Sequence, residues 1–228
     1  MERGVIYTAI TGGKDRLIDP THVLSNVAYV CFTDDPSLQS NVWTIRLLAS
    51  ESSDPARNSK RAKLLPHAYL EHYSWSLWID GNIAITGDIG PMIYDHLDKG
   101  LFFAWRHFKR TCAYQEAEAC IRRLKDREDV LLAQHQRYRR EGMPENLPMT
   151  ANLMLLRRHE NLKVISAMEK WWAEVQRGSR RDQMSLPYVL WQTRLPWDFF
   201  YKGEKPDWYE QPYFKRLPHA VHGSPFVY

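Results

Sequence analysis

Cysteine is scarce in this chain: its 228 residues include only Cys31, Cys112 and Cys120. An odd count without a Cys-x-x-Cys pair argues against a disulfide framework and a zinc cluster, and points to a reducing compartment. Long apolar runs are missing too. No stretch approaches the roughly 18 apolar residues that a membrane span needs. The opening MERGVIYTAI has neither the basic nor the apolar region of a secretory signal, so a soluble, cytoplasmic protein is expected. Internal repeats, low-complexity segments and clear linkers are absent. So is a Gly-x-Ser-x-Gly elbow, which leaves a lipid hydrolase without support. The formal net charge of +4 is a small excess of one sign. It suits an anionic ligand without marking a nucleic-acid binder.

What is present is ordinary globular material. Hydrophobic residues at 44% and charged residues at 25% fit one domain, or a domain with a long tail, able to bury a core. Aromatic residues stand out at 13%, with nine Trp and twelve Tyr. Such rings serve either as core or as surfaces for sugars and bases.

The most informative stretch is Trp75-Ser76-Leu77-Trp78-Ile79, which reads as a central strand covered on both faces. It runs into Asp80-Gly81-Asn82. One reading is a strand closed by an Asp-Gly turn. The other places two oxygen-bearing side chains at a strand's carboxyl end, where open α/β sheets bind ligands and where Mg²⁺ or Mn²⁺ finds suitable donors. Val5–Ile10 and Val27–Phe32 are strands of the same kind, emptying into Thr11-Gly12-Gly13 and Thr33-Asp34-Asp35-Pro36. Further strands are predicted at Trp43–Leu48, Ile83–Ile85, Leu101–Trp105 and Leu153–Leu156. Helices are predicted over Ala56–Leu65, Met92–Lys99, Tyr114–Lys125, Val130–Glu141, Asn161–Gln176 and Arg180–Trp191. The alternation predicts an α/β fold with a mostly parallel central sheet flanked by helices.

Three further features bear on function. Ala56–Leu65 carries Arg57, Lys60, Arg61 and Lys63, either a solvated basic face or a cradle for a diphosphate. Asn161–Gln176 is amphipathic, with Val164, Ile165, Met168, Trp171, Trp172 and Val175 on its apolar side and Gly178 stopping it. From Arg194 the chain is rich in Pro, Tyr and Trp with little periodicity. It is read as a strap, residues 194–228, wrapping back over a catalytic domain of residues 1–193.

Several segments together resemble one family. They are Tyr7-Thr8-Ala9-Ile10 with Gly12-Gly13, Cys31-Phe32-Thr33-Asp34-Asp35, Lys63-Leu64-Leu65-Pro66-His67, Trp78-Ile79-Asp80-Gly81-Asn82, and Gly178-Ser179-Arg180-Arg181-Asp182-Gln183-Met184-Ser185. Their order resembles the glycosyltransferase-like domain family of plant mucilage-related proteins and their bacterial homologues. The resemblance runs from Tyr7 to about Ser185. It implies a GT-A fold, a nucleotide-sugar donor and a divalent metal, Mn²⁺ or Mg²⁺. The sequence departs from the Asp-x-Asp motif of metal-dependent GT-A enzymes, because Asn82 replaces the second acid with an uncharged amide. Gly203-Glu204-Lys205-Pro206-Asp207-Trp208 also looks like a Gly-x-x-Lys-Pro-Trp element of glycogenin-like transferases, with Asp207 inserted. Those enzymes add a C-terminal histidine to the metal, a role open here to His219 or His222 unless both are ordinary surface residues.

The reaction this implies moves a sugar from a nucleoside diphosphate, expected to be UDP, to an acceptor hydroxyl in polysaccharide or glycoconjugate synthesis. Asp80 is assigned to the metal, and Asn82 to the metal shell or the donor ribose. Thr8, Gly12 and Asp34 would line the nucleoside pocket, and Arg57, Lys60 and Lys63 the diphosphate or donor sugar. Asp182, beside Gln183, is either a helix N-cap or a contact to the donor sugar and reacting centre. His107 and Arg110 would shape the acceptor side. Glu116 is either a helix-surface charge or a general base. Two rivals stand. One is a nucleotide-sugar binder that has lost its chemistry. The other is a transferase acting on modified DNA bases, using the basic segments at 106–110, 137–140 and 177–181.

Overall fold

The computed structural model describes residues 3–49, 51–107, 109–201 and 211–220. Its strands are β1 (Gly4–Ile10), β2 (Val27–Thr33), β3 (Thr44–Leu47), β4 (Trp75–Ile79), β5 (Ile83–Ile85), β6 (Phe102–Arg106), β7 (Thr150–Arg157), β8 (Asp198–Phe199) and β9 (Phe214–Arg216). Its helices are α1 (Pro55–Leu64), α2 (Pro66–Tyr69), α3 (Gly90–Leu97), α4 (Ala113–Arg122), α5 (Glu128–Arg140), α6 (Leu162–Arg177) and α7 (Asp182–Thr193). Seven strands form one sheet in the order β3-β2-β1-β4-β7-β6-β8, and β5 pairs separately with β9. Within the large sheet only β7 runs against its neighbours β4 and β6; the other pairings are parallel. This is the α/β arrangement expected, with a mostly parallel central sheet flanked by helices.

β4 lies at the middle of that order with all five residues buried, as its unbroken apolar run requires. Two cores follow from the alternation of side chains across the sheet. One face packs Tyr7, Trp78 and Leu155 against Val164, Met168, Trp171, Leu186 and Val189 of α6 and α7. The other packs Ile6, Leu77 and Met154 against Ile89, Ile93 and Leu97 of and before α3. Helix α6 starts where the Asn161 side chain caps Lys163 N. Its Trp171 is fully buried and donates to Asp182 O and Ser185 Oγ, both at 3.1 Å, which fixes the start of α7. Truncating such a ring costs about 3–5 kcal/mol.

Two departures from the sequence expectation position the site. Strand β7 begins at Thr150, not Leu153. Its polar start is stabilised internally, because Thr150 Oγ1 donates to Asn152 Oδ1 at 2.6 Å. Since β7 is reversed, this polar start lies beside the carboxyl ends of the parallel strands. The segment from Arg194 contributes strands despite its lack of periodicity: β8 extends the large sheet beside β6, and β9 lies antiparallel to β5. The Gly203–Trp208 segment and His222 lie outside the described residues. Among the described residues no helix is long and apolar enough to cross a membrane.

Gly4 shows how tightly the sheet centre is packed. A Cβ added there would lie 1.8 Å from Cζ2 of Trp75. Gly4→Ala is therefore expected to destabilise the fold by roughly 1–3 kcal/mol or more. Urea denaturation checks this, and an unchanged midpoint would show that the indole moves aside without cost.

Candidate active site

The first boundary of the site is the Gly12-Gly13 turn after β1. Both glycines have φ in the left-handed region, 63° and 61°, which other residues adopt only with strain. Gly12 N donates to the two Asp34 oxygens at 3.1 and 2.9 Å, and Thr11 Oγ1 to Pro55 O at 2.7 Å. The ends of β1 and β2 and the start of α1 are thereby tied together, with an exposed Asp34 at the rim. Thr8 sits deeper. It is 3% exposed, and its Oγ1 has no hydrogen-bond partner among the described residues.

Charge concentrates at the end of β4. Lys63 Nζ lies 3.1 Å from Asp80 Oδ1 and 3.0 Å from Asp182 Oδ2, while Lys60 Nζ lies 2.6 Å from Asp182 Oδ1. Trp78 Nε1 also donates to Asp80 Oδ1, at 2.8 Å, and the Lys63 ammonium stands 5.2 Å from the Trp78 ring centroid. Tyr7 donates to the Lys63 carbonyl at 2.9 Å and anchors the helix turn that carries it. Burial alone would lower Lys63, but Asp182 and Asp80 outweigh it and raise its pKa. Burial brings Lys60 down to about 8; Asp182 offsets part of this, and Lys63 and Arg181 add repulsion. Burial would raise Asp182, yet Lys60, Lys63 and Arg181 hold it well below the ordinary carboxylate range. So α1 does not present a simple solvated face: Lys60 and Lys63 turn inward. Asp182 is the first residue of α7 rather than its N-cap, a position held by Arg181, and its side chain goes to the lysines.

A divalent ion would meet a sparse but chemically suitable set of donors here. Asp80 Oδ2 carries no partner among the described residues, and the Asp80 side chain is 39% exposed. Asn82 Nδ2 donates to Leu217 O at 3.0 Å, which directs the amide oxygen elsewhere. His219 Nδ1 lies 2.5 Å from Asp15 Oδ1, and a Cβ on Gly81 would stand 3.3 Å from Asp15 Oδ2, so the histidine is held beside the Asp80–Asn82 turn. Among the described residues no three His, Cys, Asp or Glu side chains form a ready metal cluster.

Other expected residues are engaged elsewhere. The Arg57 guanidinium donates to the carbonyls of Val175 and, at 3.0 Å, Gly178, where α6 leaves its last carbonyls open. It supports the fold beside the site instead of facing a diphosphate. His107 Nδ1 accepts from Lys109 N and Arg110 N at 3.1 and 3.0 Å, closing a turn, and burial lowers its pKa. Glu116 is neither a surface charge nor placed as a base: it is 2% exposed and ion-paired with Arg110 Nε. Three arginines of the basic segments read as a nucleic-acid footprint are internally paired, Arg137 and Arg177 with Glu174 and Arg180 with Asp54.

Asn152 is the residue that sequence reasoning missed. Asp80 N donates to Leu153 O at 2.8 Å, which places Asn152 alongside the Asp80–Asn82 turn. It is 3% exposed, and its Nδ2 is unpartnered among the described residues. Gln183 Nε2 reaches Thr150 O at 3.4 Å, joining α7 to the same strand start. The spacing of Thr150 and Asn152 on one face of a strand was the available signal.

The TOD1/MUCI70, glycosyltransferase-like domain matches residues 2–205. The probable hexosyltransferase MUCI70 of Arabidopsis thaliana is 29% identical over 166 residues, covering 68% of this chain and 28% of that protein. The chain thus spans little more than a quarter of that relative. Among solved structures, the glycosyltransferase GlyE of Streptococcus pneumoniae TIGR4 aligns with a TM-score of 0.44 at 10% identity, over 87% of this chain and 45% of that one. Mouse xyloside xylosyltransferase 1 in its apo form aligns with a TM-score of 0.48 at 8% identity, over 87% and 84%.

Asp182→Asn would leave two buried ammonium groups short of a counter-charge and is expected to cost roughly 3 kcal/mol at neutral pH. Because the folded-state pKa of Asp182 is depressed, its contribution is complete above the unfolded carboxylate value and fades as pH falls through the folded one. Chemical denaturation should therefore show wild type and variant converging in strong acid. A gap that is constant across acid pH would mean that the carboxylate charge is not the source.

Proposed function

Because the chain belongs to the TOD1/MUCI70 glycosyltransferase-like domain family, we propose that it transfers a hexosyl group from a nucleoside diphosphate sugar to a hydroxyl of a carbohydrate or glycoconjugate. UDP is the nucleotide we assign first. The observation that carries this reading is the convergence of Lys60 and Lys63 on Asp182 and Asp80 at the strand ends. A diphosphate leaving group gains negative charge as the glycosidic bond breaks, and cations fixed in a dry site lower that barrier. Until a donor arrives, the two carboxylates keep these lysines in place and neutralised.

Around this centre the roles divide by position. Gly12 and Asp34 frame the nucleoside, with Thr8 Oγ1 beneath as an unsatisfied hydroxyl. Asp182, Gln183 and Asn152 face the donor sugar, and the turn at His107 and Arg110 borders the acceptor. Mn²⁺ or Mg²⁺ arriving with the donor would be held by Asp80 and the Asn82 amide oxygen, with His219 as a further ligand, and would supply additional positive charge at the diphosphate. The segment 211–220 acts as a strap: Leu217 bonds Asn82, and Ala220 N donates to Lys14 O at 3.0 Å. A carbohydrate acceptor is preferred over a nucleic acid because Arg137, Arg177 and Arg180 of the basic segments are already ion-paired within the protein.

Nucleotide release from a panel of UDP-, GDP-, CMP- and TDP-sugars, with Mn²⁺, Mg²⁺ or EDTA, tests this reading. One donor should be hydrolysed slowly, less in EDTA and not at all by Asp80→Ala. A folded Asp80→Ala protein of full activity would sink the site. Binding without turnover, even with glycan acceptors present, would establish the inactive binder instead.

Lys60 adds a pH signature. Affinity for the nucleoside diphosphate should weaken as pH rises through about 8, where Lys60 gives up its proton. Calorimetric titration of Lys60→Met should show weaker binding with that dependence flattened. An identical pH dependence in the variant would remove Lys60 from the diphosphate site.

A further inference from the structure

Glu116 sits where two parts of the site meet. Its carboxylate pairs with Arg110 Nε, and Oε2 lies 3.8 Å from His107 Nε2, both groups belonging to the turn after β6. On its other side Oε1 accepts from Cys120 Sγ at 3.4 Å and lies 4.0 Å from Arg181 Nη2. The same Arg181 nitrogen donates to Gln183 Oε1 at 2.9 Å. Below these polar groups, Ala117 and Cys120 of α4 pack with Leu131 and with Met184 of α7. One carboxylate on α4 therefore faces the acceptor-side turn and the donor-side start of α7 together.

We infer that Glu116 is a positioning residue that sets the acceptor-side turn (His107, Arg110) against the donor-side residues Asp182 and Gln183, acting through Arg110 and Arg181. The inference rests on the transferase reading above and replaces the role of base. A general base must come within hydrogen-bond reach of the proton it removes. The Glu116 side chain is 3% exposed, and both of its oxygens are directed at protein groups. Its charge is what the surroundings use. Arg110, Arg181 and Lys125 all stand near it, and repulsion from Arg181 adds to the burial that lowers Lys125 to about 8. Removing the negative charge leaves those cations facing one another in a poorly solvated place, so both segments shift. Misplacing reacting groups by about 1 Å can cost about 100-fold in rate.

The groups facing Glu116 are Arg110 and His107 from the turn, Cys120 on its own helix, Arg181 before α7, and Lys125 after α4. Glu116→Gln and Arg181→Lys should both lower kcat, by about tenfold to 100-fold, and leave nucleotide affinity unchanged. The acid limb of the pH–rate profile should keep its position in both. Amide hydrogen exchange should rise jointly in residues 107–112 and 179–184 of Glu116→Gln. Loss of the acid limb in Glu116→Gln, with Arg181→Lys near wild type, would restore the base and overturn the inference. Should wild type turn over no donor, the transferase reading fails by itself. Exchange then decides the positioning claim: a joint rise upholds it, and a rise confined to 107–112 overturns it.

Discussion

Two ammonium groups held below the surface impose the constraint on which this molecule is arranged. Lys63 is 4% exposed, and the Lys60 side chain only 17%. Buried cations are tolerated only when opposite charge is fixed within contact distance. The partners come from two distant places: Asp80 ends the central strand, and Asp182 begins a helix that follows more than a hundred residues later. The helix that bears the lysines, the strand and α7 must therefore meet at one point. Trp171 bonding the start of α7, Tyr7 bonding the Lys63 carbonyl and Arg57 closing the end of α6 can each be understood as holding that meeting in place.

The reversed strand gives the meeting point its remaining chemistry. Parallel strands offer a ligand their carboxyl ends alone. An antiparallel strand inserted between β4 and β6 brings its amino end to the same rim, and with it Thr150 and Asn152. A buried amide group with an unsatisfied Nδ2 is costly in a finished interior. Here it stands alongside the Asp80–Asn82 turn, so a polar ligand can relieve the cost. Thr8 Oγ1 is a second buried polar group without a partner among the described residues.

Much of this was legible before any coordinates. The Trp75–Ile79 run, its Asp-Gly-Asn end, the glycine pair after β1 and the amphipathic α6 each carry local patterns that tertiary structure left intact. What was not legible depended on distance in sequence. Arg57, Lys60 and Lys63 lie on one helix and read alike, yet 118 residues separate Arg57 from the carbonyl of Val175 that claims it. Whether a lysine side faces water or an acid is likewise decided by Asp182, which no local window contains. The start of β7 escaped because asparagine and alanine are depleted in strands and interrupt the apolar run that begins at Leu153. The strands of the C-terminal segment escaped because each is two or three residues long, too short for any period to show.

The bond from Asn82 to Leu217 spans 135 residues. On a ribosome adding about 5–20 residues per second, roughly 7–27 seconds pass between the emergence of those two ends. Within that interval β7, the partner of β4, and Asp182, the counter-charge of the two lysines, are added, while the floor under Asn82 is still open. The turn at Asn82 is therefore closed late in the chain's own synthesis, and a growing chain holds it open until the segment around Leu217 arrives.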